Sequence, residues 1–207
     1  LQVALDFLQP VSIVTKNALV ARDIDVLSEL AKHQLVHVYV SVTTLDAEVA
    51  RNMEPRTSIP AARLRAIKSL TDAGIPVGVF ISPIIPGLND SEIPAILQAA
   101  KDAGATYASS ILLRLPLTVE PVFVEWVQRV QPLKADLILG RIRATRDGKL
   151  NQSTWGERMK GSGEIADQIQ MLFKTFRQKL GMANKLTPQD CKQFRRPLPT
   201  TGQLRLF

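Results

Sequence analysis

Cysteine is almost absent from this chain: Cys191 is the only one among 207 residues. An internal disulfide is therefore excluded, a reducing cytoplasm is the expected setting, and the sequence alone cannot assemble an iron–sulfur site of the cysteine-rich kind. Histidine is nearly as scarce, and His33 and His37 show no metal-ligand spacing with each other or with Cys191. No metal ligands are assigned within the sequence. No apolar run approaches the ~18 residues of a membrane helix, so a soluble chain without a membrane partner is expected. No Ser/His/Asp triad or paired-carboxylate motif is recognisable. The sequence starts at Leu1 with neither an initiator Met nor a targeting segment, so it reads as a fragment.

Lysine and arginine number 26 against 19 acidic residues, a formal charge of +7, which favours an anionic partner such as nucleic acid. The basic residues are spread out, clustering only at Arg141, Arg143, Arg146 and Lys149 and at Lys192, Arg195 and Arg196. Such clusters are more often solvated faces than a binding groove. A mass of 22.8 kDa with 45% hydrophobic residues allows one sizeable core, or one core plus an appendage.

From Val11 to about Pro116, short β-rich runs alternate with helical stretches, the pattern of consecutive βα units and a parallel α/β sheet. Strands are expected near Val11–Thr15, Val36–Val42, Val77–Ser82 and Thr106–Leu113. Asp23 can cap or charge the first turn of one helix, Pro60 opens a second, and Asn89 with Glu92 resembles a capping box for a third. Gly74 and Gly104 offer left-handed stops. In the run Val36 to Thr43, the valines face one way and His37, Tyr39, Ser41 and Thr43 the other. A polar set facing inward suggests a lumen that holds a ligand; an open antiparallel sheet with a wet face is the alternative. After Pro116 the pattern turns helical, near Val119–Val130, Leu133–Arg146 and Glu164–Leu180, with a loop over 148–163 and an irregular tail from Asn184.

Chemistry is expected where parallel strands end. Lys16 and Ser41 sit at such ends and suit a carboxylate or a ribose, in competition with a rim salt bridge to Asp46 or Glu54. Arg56, after Glu54-Pro55, could clamp a carboxylate with two hydrogen bonds, although a loop-bracing ion pair is the commoner use. Arg114 ends the fourth strand. In the turn Pro83 to Asp90, Gly87 allows close backbone approach and the prolines fix the path, so main-chain groups could read the edge of a flat heterocycle. The segment Trp155 to Gly163 precedes a helix but matches no phosphate loop, and a flexible connector is expected there. Trp126 reads as a packing residue.

Taken in order, Thr15-Lys16-Asn17, Val40 to Asp46, Glu54-Pro55-Arg56, Ala73 to Val77, Pro83 to Asp90, Leu112 to Pro116, Gly156 to Gly163 and Phe194 to Pro197 resemble a known family. It is the radical S-adenosylmethionine (SAM) proteins, in the branch of spore photoproduct lyase, often labelled DNA repair photolyase. The resemblance implies a TIM-like partial (β/α)6 barrel of which this chain carries the last four strands, with a C-terminal helical appendage. Residues 1–117 would be barrel, 118–183 appendage or cap, and 184–207 an irregular tail. It implies S-adenosylmethionine and a [4Fe-4S] cluster as cofactors, with Lys16, Ser41, Thr43, Arg56, Ile85, Gly87 and Asn89 as cofactor-binding residues and Arg114 and Arg158 near the substrate. The three-cysteine loop that would ligate the cluster is missing, which places those ligands upstream and predicts that the fragment alone is inactive, with an unpaired edge strand near Val11. DNA or another nucleic acid and an electron donor are the implied partners, lesion repair the implied activity. Two alternatives are a non-catalytic basic nucleic-acid-binding α/β module and a cluster-independent barrel enzyme with Lys16 as base or Schiff-base nucleophile.

Overall fold

A computed structural model describes residues 1–197; residues 198–207 of the expected irregular tail lie outside the described residues. A short helix α1 (Gln2–Asp6) leads into β1 (Val11–Thr15). Then α2 (Ile24–Lys32), β2 (Val36–Ser41), α3 (Ala47–Met53), α4 (Pro60–Asp72), β3 (Val77–Ile84), α5 (Ile93–Asp102) and β4 (Tyr107–Leu112) follow. The four strands form one parallel sheet in the order β1-β2-β3-β4, each sequential pair joined by a helical crossover. Sequential order in a parallel sheet is the arrangement of a barrel segment, whereas a doubly wound sheet reverses at a switch point.

Register explains the two faces. Val36, Val38 and Val40 align with Val11, Ile13 and Thr15 on one side, and Val38 and Val40 with Val77 and Val79 on the other. The valines of β2 and β3 are buried with Leu27 and Leu30 of α2 and Ile67 and Leu70 of α4, and Val11 and Ile13 of the edge strand pack against them half-buried. Burying each such side chain is worth roughly 1.5–3 kcal/mol. The opposite face carries His37, Tyr39, Phe80 and Tyr107, half-buried, with Tyr39 stacked on Phe80 at 4.8 Å between ring centroids and edge-on to Tyr107 at 5.5 Å. Gly78 makes that packing possible, since a Cβ there would meet Tyr107 Cδ1 at 2.5 Å and Tyr39 Cδ1 at 2.8 Å. Parallel pairing throughout removes the antiparallel alternative, and the polar and aromatic set does share one face.

Gly74 and Gly104 end α4 and α5 at φ +75° and +100°, the left-handed conformation an αL stop needs. The expected capping box is absent. A 3₁₀ turn over Asp90–Glu92 precedes α5, and Asn89 makes no side-chain cap hydrogen bond. Instead Glu92 accepts from Leu45 N and Thr44 Oγ1, and Asn89 accepts from Ile85 N of its own loop and donates to Thr43 O beyond β2, because these side chains find partners at the preceding strand ends. Asp23 stands at the N-cap of α2 without capping it, its carboxylate taken by Arg22.

The remaining helices are α6 (Val119–Val130), α7 (Ala135–Ala144) and α8 (Gly163–Lys179). Packing divides the stretch 118–183. Val127 of α6 and Ile138, Leu139 and Ile142 of α7 form a second core with Ile85, Leu113 and Leu115, over the carboxyl ends of β3 and β4. Ile169 and Phe173 of α8 enter the main core beside α5. The loop before α8, expected to be a flexible connector, is tied down by Ser162 N to Thr145 O at 3.1 Å and Ser162 Oγ to Asp147 Oδ1 at 2.9 Å. Beyond α8, Ala183 pairs with β4, and Gln189 Nε2 donates to Val11 O and Leu35 O at the amino ends of β1 and β2. β1 is an edge of the sheet, with Val14 60% exposed.

Candidate functional site

Glu54 organises the carboxyl end of the sheet. It follows α3, and its side chain reaches back so that Oε1 accepts from Lys16 Nζ, at the tip of β1, and from Thr43 Oγ1 at 3.0 Å, beyond β2. Its Oε2 accepts from Arg63 Nη2 at 2.6 Å. Arg63 lies on the buried face of α4 and is only 1% exposed. The rest of its guanidinium donates to Ser58 O at 2.7 Å, Ser41 O at 2.9 Å and Thr57 Oγ1 at 2.6 Å, which satisfies a charge that could not otherwise be buried.

The charge balance at this mouth follows. Burial pushes the Glu54 carboxyl up, but hydrogen bonds and charges from Lys16 and Arg63 outweigh it and hold the group below its ordinary value. Glu54 is therefore an anion between two cations, leaving one positive charge over. Arg63 is consumed inside the protein. Lys16, with its side chain 34% exposed, carries the surplus to the surface and keeps ammonium protons for a ligand.

Ser41 and Thr43 are buried; the Ser41 hydroxyl donates to Ser82 O at 3.0 Å, and Thr43 Oγ1, which shares its one proton between Glu54 Oε1 and the same carbonyl, lies 3.1 Å from it. That carbonyl precedes Pro83, the start of the Pro/Gly bend, across a cis peptide bond. Lys16, Glu54, Pro83 and Ile85 then line one cavity of about 340 Å³, closed on its other wall by Leu113, Leu115, Phe123 and Trp126. Phe123 and Trp126 belong to α6, and Trp126 Nε1 is held by Asn52 O at 3.0 Å. The cavity thus offers one cationic, hydrogen-bonding end and one apolar, aromatic wall, a combination that suits a ligand with an anionic end and a flat body.

The other expected site residues stand apart. Arg56 is exposed, so the Glu54 partners are Lys16 and Arg63 instead. Gly87, at φ +85°, packs against Ile138 and Arg141 of α7, where an added Cβ would lie 3.1 Å from Arg141 Cδ. Asn89 is fully buried and fully used: Oδ1 accepts from Ile85 N at 2.6 Å, and Nδ2 donates to Thr43 O at 2.7 Å and Pro83 O at 3.0 Å. It is the brace that fixes the bend against β2. Arg114 turns away from the cavity that its neighbours Leu113 and Leu115 line, toward Met159, and Arg158 is half-buried in the following loop. Sequence reasoning missed Arg63, which sits in a helical stripe among apolar positions, and took Trp126 as packing alone. A charged residue on an apolar stripe was the available signal for Arg63.

Among the described residues no group of three or more His, Cys, Asp or Glu could hold a metal ion, and no helix is long and apolar enough to cross a membrane. Cys191 is exposed and hydrogen-bonded to Gln189 O, in the segment that runs under the amino ends of the strands, away from the mouth.

Comparison with known proteins adds an independent line. Residues 4–100 match the Radical SAM superfamily. Uncharacterized proteins of Mycobacterium tuberculosis and Mycobacterium bovis are 34% identical over 125 residues, 59% of this chain and 37% of theirs. One of Methanocaldococcus jannaschii is 35% identical over 81 residues, 39% of this chain and 30% of its own length. The chain thus spans little more than a third of the mycobacterial relatives it matches. Among solved structures, a cysteine-to-serine mutant of spore photoproduct lyase superposes with a TM-score of 0.58 at 18% identity, covering 84% of this chain and 49% of that one. The likeness is one of fold.

Proposed function

We propose, from the match of residues 4–100 to the Radical SAM superfamily, that this chain is the nucleotide-holding part of a radical SAM enzyme of the spore photoproduct lyase-like branch. S-adenosylmethionine would lie in the mouth beside Lys16. The observation that carries this reading is that Lys16 and the Pro83–Ile85 bend line the same cavity at the carboxyl ends of parallel strands.

The donor set fits the nucleotide. Lys16 meets its carboxylate, the surplus positive charge at Glu54 favouring that anionic end, while Ile85, Leu113 and Phe123 exclude water from the body. Ser41 and Thr43 hold Ser82 O and so fix the height of the bend, and Asn89 fixes its path. Arg56, Arg114 and Arg158 would be called on only by a ligand larger than the cavity. The described residues do not fit an iron–sulfur cluster, because the single cysteine is remote from the mouth. Its ligands, and the docking point of an electron donor, belong to sequence outside this chain. S-adenosylmethionine reduced there would supply a 5′-deoxyadenosyl radical. A nucleic-acid lesion is the proposed substrate class, supported by the net charge of +7 and by the fold shared with a spore photoproduct lyase. The cytoplasm is the proposed setting.

The test is calorimetric titration of the chain with S-adenosylmethionine. Lys16→Ala should weaken binding at least about tenfold, the loss of a charge-assisted hydrogen bond. Saturable binding that Lys16→Ala leaves unchanged would reject the site. Nucleic-acid binding should fall steeply with salt if the substrate class is right.

A further inference from the structure

A second and larger concavity lies outside the mouth. It is a cleft of about 550 Å³ between the outer edge of β4 and α8, and it shares no lining residue with the cavity beside Lys16. Ser109, Ser110, Lys160, Asp167, Lys174 and Arg177 supply its polar groups, and Leu112 and Phe173 an apolar floor.

Three features of this cleft are unsatisfied. β4 is the sheet edge, and among the described residues its outward amides are paired only at the two ends: Ala108 N with Ala183 O at 3.3 Å and Leu112 N with Met159 O at 3.0 Å. Alternate residues of a strand turn their amides to the same side, so Ser110 presents its N–H into the cleft between those two closures. Next, none of Lys160, Asp167, Lys174 and Arg177 belongs to an ion pair among the described residues. Three cations thus face one carboxylate. Finally, among the described residues Arg177 Nε is buried without a partner, as is Nε of the neighbouring Arg114, whose Nη1 lies 4.0 Å from Sδ of Met159, a lining residue of the cleft. A polar gap closed at both ends is too short for an added strand, but its volume falls within the ~300–1,000 Å³ of small-molecule sites.

We infer that this cleft binds a small phosphate-bearing ligand of nucleotide size, the phosphate gripped by Lys174, Arg177 and the free edge of β4 at Ser110, and the apolar part laid on Leu112 and Phe173. Tetrahedral oxyanions accept several charge-assisted hydrogen bonds at once, which matches two cations and an edge amide lining one cleft. Asp167 opposes a highly charged ligand and sets the number of negative charges the cleft tolerates.

The inference is tested by titrating the whole chain with AMP, inorganic pyrophosphate, citrate and a single-stranded oligonucleotide. AMP or pyrophosphate should bind saturably, at least about tenfold more weakly in Lys174→Gln/Arg177→Gln, while Arg177→Lys retains part of the affinity and Lys16→Ala all of it. Asp167→Asn should tighten pyrophosphate more than AMP. In the wild-type chain, pyrophosphate should protect Lys160 and Lys174 from acetylation, a readout independent of how the variants fold. Binding of citrate but not of the phosphates, a response to the double variant seen only with the oligonucleotide, or absence of both saturation and protection would each overturn it. Because the Lys16 mouth is untouched by these variants, failure here leaves the proposed nucleotide site standing, and failure there leaves this one.

Discussion

Arg63→Ala should be far more damaging than Lys16→Ala, although both residues bond the same carboxylate. Arg63 is 1% exposed and makes four hydrogen bonds, to Ser41 O, Ser58 O, Thr57 Oγ1 and Glu54 Oε2. Its removal strands the buried Ser41 carbonyl and the half-buried Ser58 carbonyl and opens a void beneath the mouth, and breaking a buried pair of this kind costs about 3–5 kcal/mol. Lys16 is one-third exposed, so solvent screens its bond to Glu54 and its loss should cost only about 0–1 kcal/mol. Denaturant unfolding of the two variants against wild type, read as the shift in midpoint at constant m, separates the two cases. The outcome matters for function, because a lysine of little structural value at a buried, braced carboxylate is available to a ligand. Equal destabilisation by the two variants, or a loss below about 1 kcal/mol in Arg63→Ala, would refute the assignment of Arg63 as brace and Lys16 as donor.

Other consequences are as direct. Glu54 is held below its ordinary 4.5 in the folded chain, so the folded state binds fewer protons there than the unfolded one. That stabilisation is complete above about 4.5 and is lost as pH falls through the folded value, so acid titration of stability should be shallower in Glu54→Gln than in wild type. Asn89→Ala removes three buried bonds that fix the Pro/Gly bend and should cost about 2–3 kcal/mol in a urea midpoint while also weakening the mouth for its ligand. Gly78→Ala pushes a methyl into Tyr39 and Tyr107 and should destabilise by about 1–3 kcal/mol, with a change in tyrosine near-UV circular dichroism. In Trp155→Phe, which removes a residue 85% exposed, the remaining Trp126 reports on the mouth, and its fluorescence should change when S-adenosylmethionine binds.

The features legible along the chain are local and periodic. Alternating valines, the αL glycines Gly74 and Gly104 and the Pro/Gly bend after β3 each act through the residues next to them. Strand, helix, parallel α/β class and the grouping of the polar residues of β2 on one face were therefore legible in order along the chain. The sheet carries all four expected strands, and the resemblance to radical SAM proteins led to the same superfamily that residues 4–100 match. What tertiary structure decided is partner choice. Asn89 and Glu92 have the spacing of a capping box, yet groups just beyond β2, the Thr43 carbonyl, the Leu45 amide and the Thr44 hydroxyl, took both side chains. Arg56 and Arg63 are both within reach of Glu54 by sequence; only the rotation of α4 puts Arg63 beneath the carboxylate and leaves Arg56 in solvent. Burial makes such choices, because a hydrogen bond left unmade inside costs more than any local preference can return, and which groups end up inside is settled only when the layers close.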